Sequence, residues 1–590
     1  MFLRATNRFK DGKNHRYWSV VENRRVSGGK TIQKTVLYLG EVNDSQQTQW
    51  CHAIEALDGG VKRQISLFPS DRKIPPEISD AVQIQMSRLE LLRPRQWGAC
   101  WLALELWESL ELDSFWRGHL VESRKGTDWL KVLKVLTVYR LCDPGSEWKL
   151  HRLWFDQTAM GDLLGGDFSL VQKDTLYRCL DRLVPHKEAL FSHLQEKWKS
   201  LFNAKFDVLL YDLTSTYFES DPPSDENDKR RFGYSRDKRS DCVQVVIALI
   251  VTPEGFPLAY EVLAGNTPDK KTLKDFLKKI ETQYGKANRV WVMDRGVPTE
   301  EVLKEMREAT TPVSYLVGTP KGRLTKLEKH FLQLPWKAVR ERVDVKLIKS
   351  EGELFVLARS QKRIFKERSM RRRRLKIFWN RLRELQSKNL TRDQLLMKIG
   401  SAKTSAGRAA SLVSIGIPEV LEEKPENRLT FSLNKNKLRE IVRKEGHYLL
   451  RTNIAEGDPV VLWKHYIQLV EVEEAFRNLK GDLGIRPIFH QTEERIEAHI
   501  FVCFLAYCLH VTLKQKAKTV APGLTPRAII DQLRAIQMLD VRVPTTDGRS
   551  LEMSRFTQPD KTQALLIAQL KLKLPEQPPP KIFAVSTLAH

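Results

Sequence analysis

The spacing of hydrophobic positions changes several times along the chain. Tyr17–Asn23 and Thr31–Leu39 are rich in β-branched and aromatic residues and flank Gly28-Gly29, which predicts an N-terminal β-hairpin within residues 1–82. The stretch after it, with Pro69 and Pro75-Pro76, reads as a linker. Over 83–205 the period is helical: Trp97, Trp101, Leu104 and Trp107 recur at helical spacing, as do Leu130, Leu133, Leu136 and Tyr139. Asp174 fits as N-cap of a helix starting at Thr175. This helical domain suits DNA binding or plain packing equally well.

From about 206 the texture becomes β-like. Asp207–Phe218, Val243–Val251 and Pro257–Leu263 read as strands, the last two joined by the turn Thr252-Pro253-Glu254-Gly255. A helix capped by Asp269 runs to about Tyr284, followed by strand Arg289–Met293, a helix from Thr299 and strand Val313–Val317. That order matches the first part (206–319) of an α/β RNase H-like core, a mixed five-stranded sheet with flanking helices. Residues 320–455 read as an α+β insertion. It holds a strand pair (Val343–Lys349 and Leu354–Arg359, turning at Glu351-Gly352), a basic helix from about Lys362 to Lys388 and a β-like run His447–Asn453. The core resumes over 456–540 with an amphipathic helix Leu462–Leu483 and an apolar helix Glu493–Lys514. Residues 541–590, with Pro575 and Pro578-Pro579-Pro580, read as an exposed, poorly ordered tail.

Two acids follow apolar strand runs: Asp212 after Val208–Tyr211, and Asp294 after Val290–Met293. The first and fourth strands of an RNase H-like sheet are neighbours, so the two carboxylates converge. Carboxylate oxygens suit Mg²⁺, which keeps several waters, and Mn²⁺ can substitute. A third acid follows from helix geometry. Leu469, Val472, Phe476, Leu479 and Leu483 form the core stripe, and Tyr466, Glu473, Arg477 and Lys480 share an adjacent face. Glu473 is therefore the metal-ligand candidate, with Tyr466, Arg477 and Lys480 set to hold DNA phosphate. Glu471 and Glu474 fall on other faces and read as solvated. The plain alternative is a surface helix with a Glu473–Arg477 ion pair.

Charge sharpens the choice of partner. The 590 residues carry 98 Lys and Arg against 73 Asp and Glu, a net charge of +25. Such an excess favours a polyanion, and nucleic acid comes first. No apolar run in the sequence reaches the ~20 residues of a membrane span, and the basic N-terminus has no signal-peptide core. Seven scattered cysteines without a Cys-x2-Cys pair fit a reducing cytoplasm rather than a disulfide framework. Two basic segments stand out: Lys362, Arg363, Lys366, Arg368 and Arg371–Arg374, and the loop with Lys229, Arg230, Arg231, Arg236, Lys238 and Arg239. Either can track a DNA backbone or form a solvated face. Trp336 and Trp379 read as packing residues ahead of base-stacking ones. Glu219 is either a further site carboxylate or a strand-surface residue. His490 and His499 read as structural or phosphate-facing, without zinc-site spacing.

Tyr466, Glu473 and Lys480 resemble the Y-x2-R-x3-E-x6-K signature of bacterial insertion-sequence DDE transposases. Tyr211-Asp212-Leu213-Thr214, Gly265-Asn266-Thr267, Met293-Asp294-Arg295-Gly296, Leu483–His490 and Arg495–Ile500 are similar to the same group, and the likeness runs from the N-terminal hairpin to about 510. The family arginine position is Leu469, a departure. The resemblance implies a two-metal-ion DNA transposase with Asp212, Asp294 and Glu473 as catalytic ligands. It also implies a homodimer that pairs terminal inverted repeats, cuts to a 3′-OH (often through a hairpin) and joins it to target DNA near the nucleoid. A nuclease that cannot join, or an inactive domesticated DNA-binding protein, are the competing readings.

Overall fold

A computed structural model describes residues 1–10, 13–25, 31–58, 84–121, 126–225, 227–237, 239–267, 280, 282, 289–294, 298–309, 313–319, 335–340, 343–350, 352–418, 429–454, 458–545, 549–579 and 581–584. The expected Gly28-Gly29 turn, the proline linker, Asp269, Lys238, Arg295, Gly296 and Glu351 lie outside the described residues. The chain is mixed α/β and divides into two compact units, residues 1–287 with 470–590, and residues 288–469.

The first unit opens with β1 (Phe2–Lys10), β2 (Lys13–Arg25) and β3 (Thr31–Gly40), an antiparallel sheet in that order. The expected hairpin is β2–β3; β1 was missed because its polar residues mask the alternation. Helix α1 (Asp44–Asp58) occupies the start of the expected linker and buries Trp50 and Ile54 against Trp18, Leu37 and Leu39. The helical segment also contains a strand, β4 (Glu90–Gln96), before α2 (Gly98–Ser109), α3 (Trp129–Cys142), α4 (Lys173–Leu180) and α5 (Lys187–Phe202). Asp174 lies inside α4, whose N-cap is Gln172.

Three antiparallel strands follow: β5 (Val208–Tyr217), β6 (Gln244–Val251) and β7 (Pro257–Ala264). Every residue of β6 is buried, as its unbroken apolar sequence demands of a central strand. The predicted turn forms, with Gly255 at φ +92 and its N–H bonded to Thr252 O at 2.9 Å; only glycine adopts that φ freely.

In the second unit, β8 (Val290–Met293) runs parallel to β9 (Ser314–Thr319), with α6 (Glu300–Glu308) between them in sequence. Thr299 caps α6 through its Oγ1, which accepts from Val302 N at 3.2 Å. The region read as an insertion does not stand apart. Strands β10 (Lys337–Arg340), β11 (Val343–Ser350), β12 (Glu353–Ser360) and β15 (His447–Thr452) continue the sheet in the order β10-β11-β12-β15-β9-β8. Backbone pairing of β15 to β9 carries that extension. A separate hairpin, β13 (Val413–Gly416) with β14 (Thr430–Leu433), packs beside helices α7 (Gln361–Ser387) and α8 (Arg392–Ala406).

The single helix expected over Leu462–Leu483 is two: α9 (Pro459–Ile467) and α10 (Leu469–Lys480). Gln468 interrupts them, its N–H turning back to His465 O at 3.2 Å. Tyr466 and Glu473 therefore lie on different helices. Back in the first unit, α11 (Glu493–Lys518) is the core helix; it is long and apolar enough to cross a bilayer, but 94% of that stretch is buried inside the protein. It packs against α3, and its Phe504 stacks on Tyr260 of β7 at 4.1 Å. A helix apolar all round belongs in a core.

The expected loose tail is folded. Strands β16 (Gln537–Pro544), β17 (Arg549–Phe556) and β18 (Lys581–Ala584) join β4 in the order β18-β17-β16-β4. Buried Arg95 on β4 holds both carboxylate oxygens of Asp540 on β16 at 2.8 Å, and its Nε reaches Asp162 at 3.0 Å. This paired, buried charge fixes the chain's C-terminal part to its first half.

Candidate active site

Asp212 sits in mid-strand, not at a strand end. β5 pairs with β6 from Leu210↔Val251 through Asp212↔Leu249 to Tyr217↔Gln244, because Thr214, Ser215 and Thr216 continue the extended run. Between Leu209 and Thr216, Asp212 alone is half-buried while its neighbours are buried. Its backbone is thus held rigidly and its carboxylate keeps some access to solvent. Asp294 follows the buried Trp291-Val292-Met293 directly and is exposed, as expected of an acid at a strand terminus.

On α10, Val472, Ala475, Phe476 and Leu479 are buried and Glu473 is exposed, so the inferred stripe holds. Glu471 and Glu474 are not solvated: Lys514 of α11 clamps both, at 2.9 and 3.0 Å. This fixes the rotation of α10 and leaves Glu473 outside the clamp. Arg477 pairs weakly with Glu474 at 4.0 Å, not with Glu473, and stays exposed. Leu469, at the family arginine position, is half-buried.

Lys480 is not an open cation. Its Nζ lies 2.8 Å from Asp237, and Arg486 also binds that carboxylate. Burial pushes Asp237 up, but Arg486 and Lys480 outweigh it and hold the carboxyl below its ordinary value. Burial lowers Lys480, and the nearby Arg486 and Arg236 add to the effect against the pull of Asp237. The loop also reaches β5, where Arg236 N donates to Ser215 Oγ at 3.3 Å. Asp237 escaped sequence reasoning. Its only signal was an acid embedded in a basic loop.

Most other cations of that loop are also neutralised. Arg230 is buried between Asp228 and Gln491, Lys229 pairs with Glu493 at 2.5 Å, and Arg239 pairs with Asp241 at 3.0 Å and Glu219 at 2.9 Å. Glu219 is thereby an ion-pair partner on the surface.

In the second unit, Tyr466 on α9 packs among Tyr448 and Trp463, with ring centroids 6.1 and 6.2 Å away. Trp336 has Lys346 and Arg359 over its ring at 4.6 and 4.5 Å and stacks on His447, while Trp379 meets Phe431 edge-on. Both tryptophans are packing residues. On α7, Arg363 pairs with Glu367, and Arg368 and Arg371 pair with Glu445. Lys366, Arg372, Arg373, Arg374 and Lys376 are exposed and pair with no carboxylate among the described residues. A cavity of about 1060 Å³ lies along this basic helix.

Asp212, Glu473, Arg477 and Lys480 thus belong to the first unit, and Asp294 and Tyr466 to the second. Carboxylates held on rigid elements in a strongly basic α/β chain fit the class of enzymes that cut and rejoin DNA. Residues 204–509 match the family model of the transposase DDE domain, and residues 3–66 match that of the IS1634 family transposase N-terminal domain. The protein is a DNA transposase, and it belongs to the DDE transposases of bacterial insertion sequences. No curated protein matches the chain. Among solved structures it is similar to a cryo-EM structure of a piggyBac transposase synaptic complex with hairpin DNA, with a TM-score of 0.35 and 8% identity, over 77% of this chain and 82% of that one. Members of the DDE family use divalent metal and act on DNA.

Proposed function

We propose that Asp212, Asp294 and Glu473 form the catalytic set of an RNase H-like core. The donors are all carboxylate oxygens, hard ligands that leave room for water, and they suit Mg²⁺ with Mn²⁺ as substitute. When bound, two such ions supply an activated water and stabilise the leaving 3′ oxygen. The chain's own part is to hold those oxygens still. β5 does so for Asp212 through its pairing with β6, and the Lys514 clamp does so for α10 and Glu473.

The single observation that best supports this reading is the half-buried Asp212 in the middle of a buried strand paired to β6, within the stretch that matches the DDE domain. Phosphate is held first by the exposed Arg477, and Lys480 and Arg486, which share Asp237, add one net positive charge beside it. Tyr466 assists in positioning, since phosphate contacts fix DNA without reading its sequence. Two protomers pair the inverted repeats of one element, cut to leave 3′-OH ends and join them to target DNA, in the cytoplasm on nucleoid DNA.

The test is incubation of purified protein with terminal-repeat DNA, a target plasmid and Mg²⁺. Joined products are expected. Cutting without joining identifies a nuclease, and a gel shift without cutting identifies an inactive DNA-binding protein.

A further inference from the structure

Apart from the carboxylates assigned above, the first unit gathers Glu147 with His490 and His499, which lie far from it in sequence; they are 6%, 6% and 3% exposed. Glu147 follows α3, His490 lies in the stretch before α11, and His499 is on α11. Their ligand atoms all lie within 4.8 Å of one another. His490 Nε2 is 3.4 Å and His499 Nδ1 3.7 Å from the same carboxylate oxygen, Glu147 Oε1.

Those separations are too long for N–H···O hydrogen bonds, which run about 2.7–3.2 Å. Both nitrogens, His490 Nε2 and His499 Nδ1, are buried without a hydrogen-bond partner among the described residues. Metal–ligand bonds of about 2.0–2.1 Å in a tetrahedron set donors about 3.3–3.5 Å apart; the 3.4 Å separation falls in that range and the 3.7 Å one just beyond it. The other ring nitrogen of His499, Nε2, faces Ile485 O at 3.3 Å. A proton donated there leaves the Nδ1 lone pair turned towards Glu147, the usual outer-shell arrangement of a metal-bound histidine. Arg140 Nη2 stands 3.5 Å from the same Oε1, and its Nη1 is anchored to Gly484 O at 3.2 Å. Its charge opposes a cation, so affinity is lower than for the same three donors alone. One turn beyond His499 on the same helix, Cys503 is also buried.

We infer that Glu147, His490 and His499 form a second metal site, selective for a zinc-class transition-metal dication and separate from the carboxylate set. Bound there, the ion ties the segment after α3 to the start of α11 within the first unit.

The experiment is a Co²⁺ titration of the full-length protein after chelation and dialysis, read by visible absorption. One equivalent with the intense bands of tetrahedral Co²⁺ is expected, displaced by Zn²⁺. His490→Ala and His499→Ala should weaken binding by more than the roughly 10- to 100-fold that loss of an outer-shell partner costs. Asp212→Asn should leave the bands unchanged. Absence of tetrahedral bands in the folded wild type overturns the inference and needs no variant. So does a spectrum that persists in His490→Ala, or one lost in Asp212→Asn.

Discussion

The loop 229–239 and the helix α7 look alike in sequence, since each concentrates Lys and Arg. In the structure they differ. The loop interleaves Asp228 and Asp237 with its cations and is followed by Asp241; those acids, with Glu219, Glu493 and Gln491, draw Lys229, Arg230 and Arg239 inward. On α7 the acids thin out after Glu367, and Arg372, Arg373 and Arg374 are left exposed. The number of cations does not decide whether a segment can track DNA. The acids within reach decide it, because a cation already neutralised by a carboxylate cannot displace a counterion condensed on a DNA phosphate.

The contrast can be broken experimentally, and the largest effect falls on the loop. Asp237→Ala leaves Lys480 and Arg486 without their shared carboxylate and should cost about 3 kcal/mol of stability, read by denaturant unfolding. A cost near zero makes the loop a solvated face after all. Next, the combined Arg372→Ala, Arg373→Ala and Arg374→Ala variant should lose about 30-fold in DNA affinity near 0.1 M salt. Its plot of log affinity against log salt should be shallower by about 2–3, with unfolding unchanged. An unaltered salt slope removes α7 from the DNA interface. The smallest effect is in pH. Asp237 has its folded pKa lowered beneath its unfolded value, so the stability it contributes is present above the ordinary carboxylate range and lost as pH falls through the folded value. Wild-type stability should therefore drop below about pH 4 more steeply than that of Asp237→Asn. Parallel curves contradict the pairing.

The sequence was most legible where one period ran uninterrupted. β6, α11 and the Thr299-capped α6 form as their patterns dictate, because burial on every side leaves an unbroken apolar run and a cap is a local bond. It was least legible where long-range pairing decides. The joining of β15 to β9, and of β16 to β4 through Arg95 and Asp540, links residues far apart in the chain and leaves no local trace. The break at Gln468 was hidden because apolar spacing continues across it. At the site, the exposure of Glu473 was readable from helical geometry. The clamp on Glu471 and Glu474 was not, since Lys514 lies on another helix. His490 and His499 gave no metal signal for the same reason: Glu147 is far away in sequence.

The most direct test of the central claim is metal rescue at Asp294. Strand joining by Asp294→Cys should fall at least about 1000-fold in Mg²⁺, equivalent to about 4 kcal/mol in the barrier. It should recover in Mn²⁺, which accepts a softer ligand, while terminal-repeat DNA binding is unchanged. Joining in Mg²⁺ at close to the wild-type rate contradicts the assignment of Asp294 as a metal ligand, and with it the proposed catalytic set.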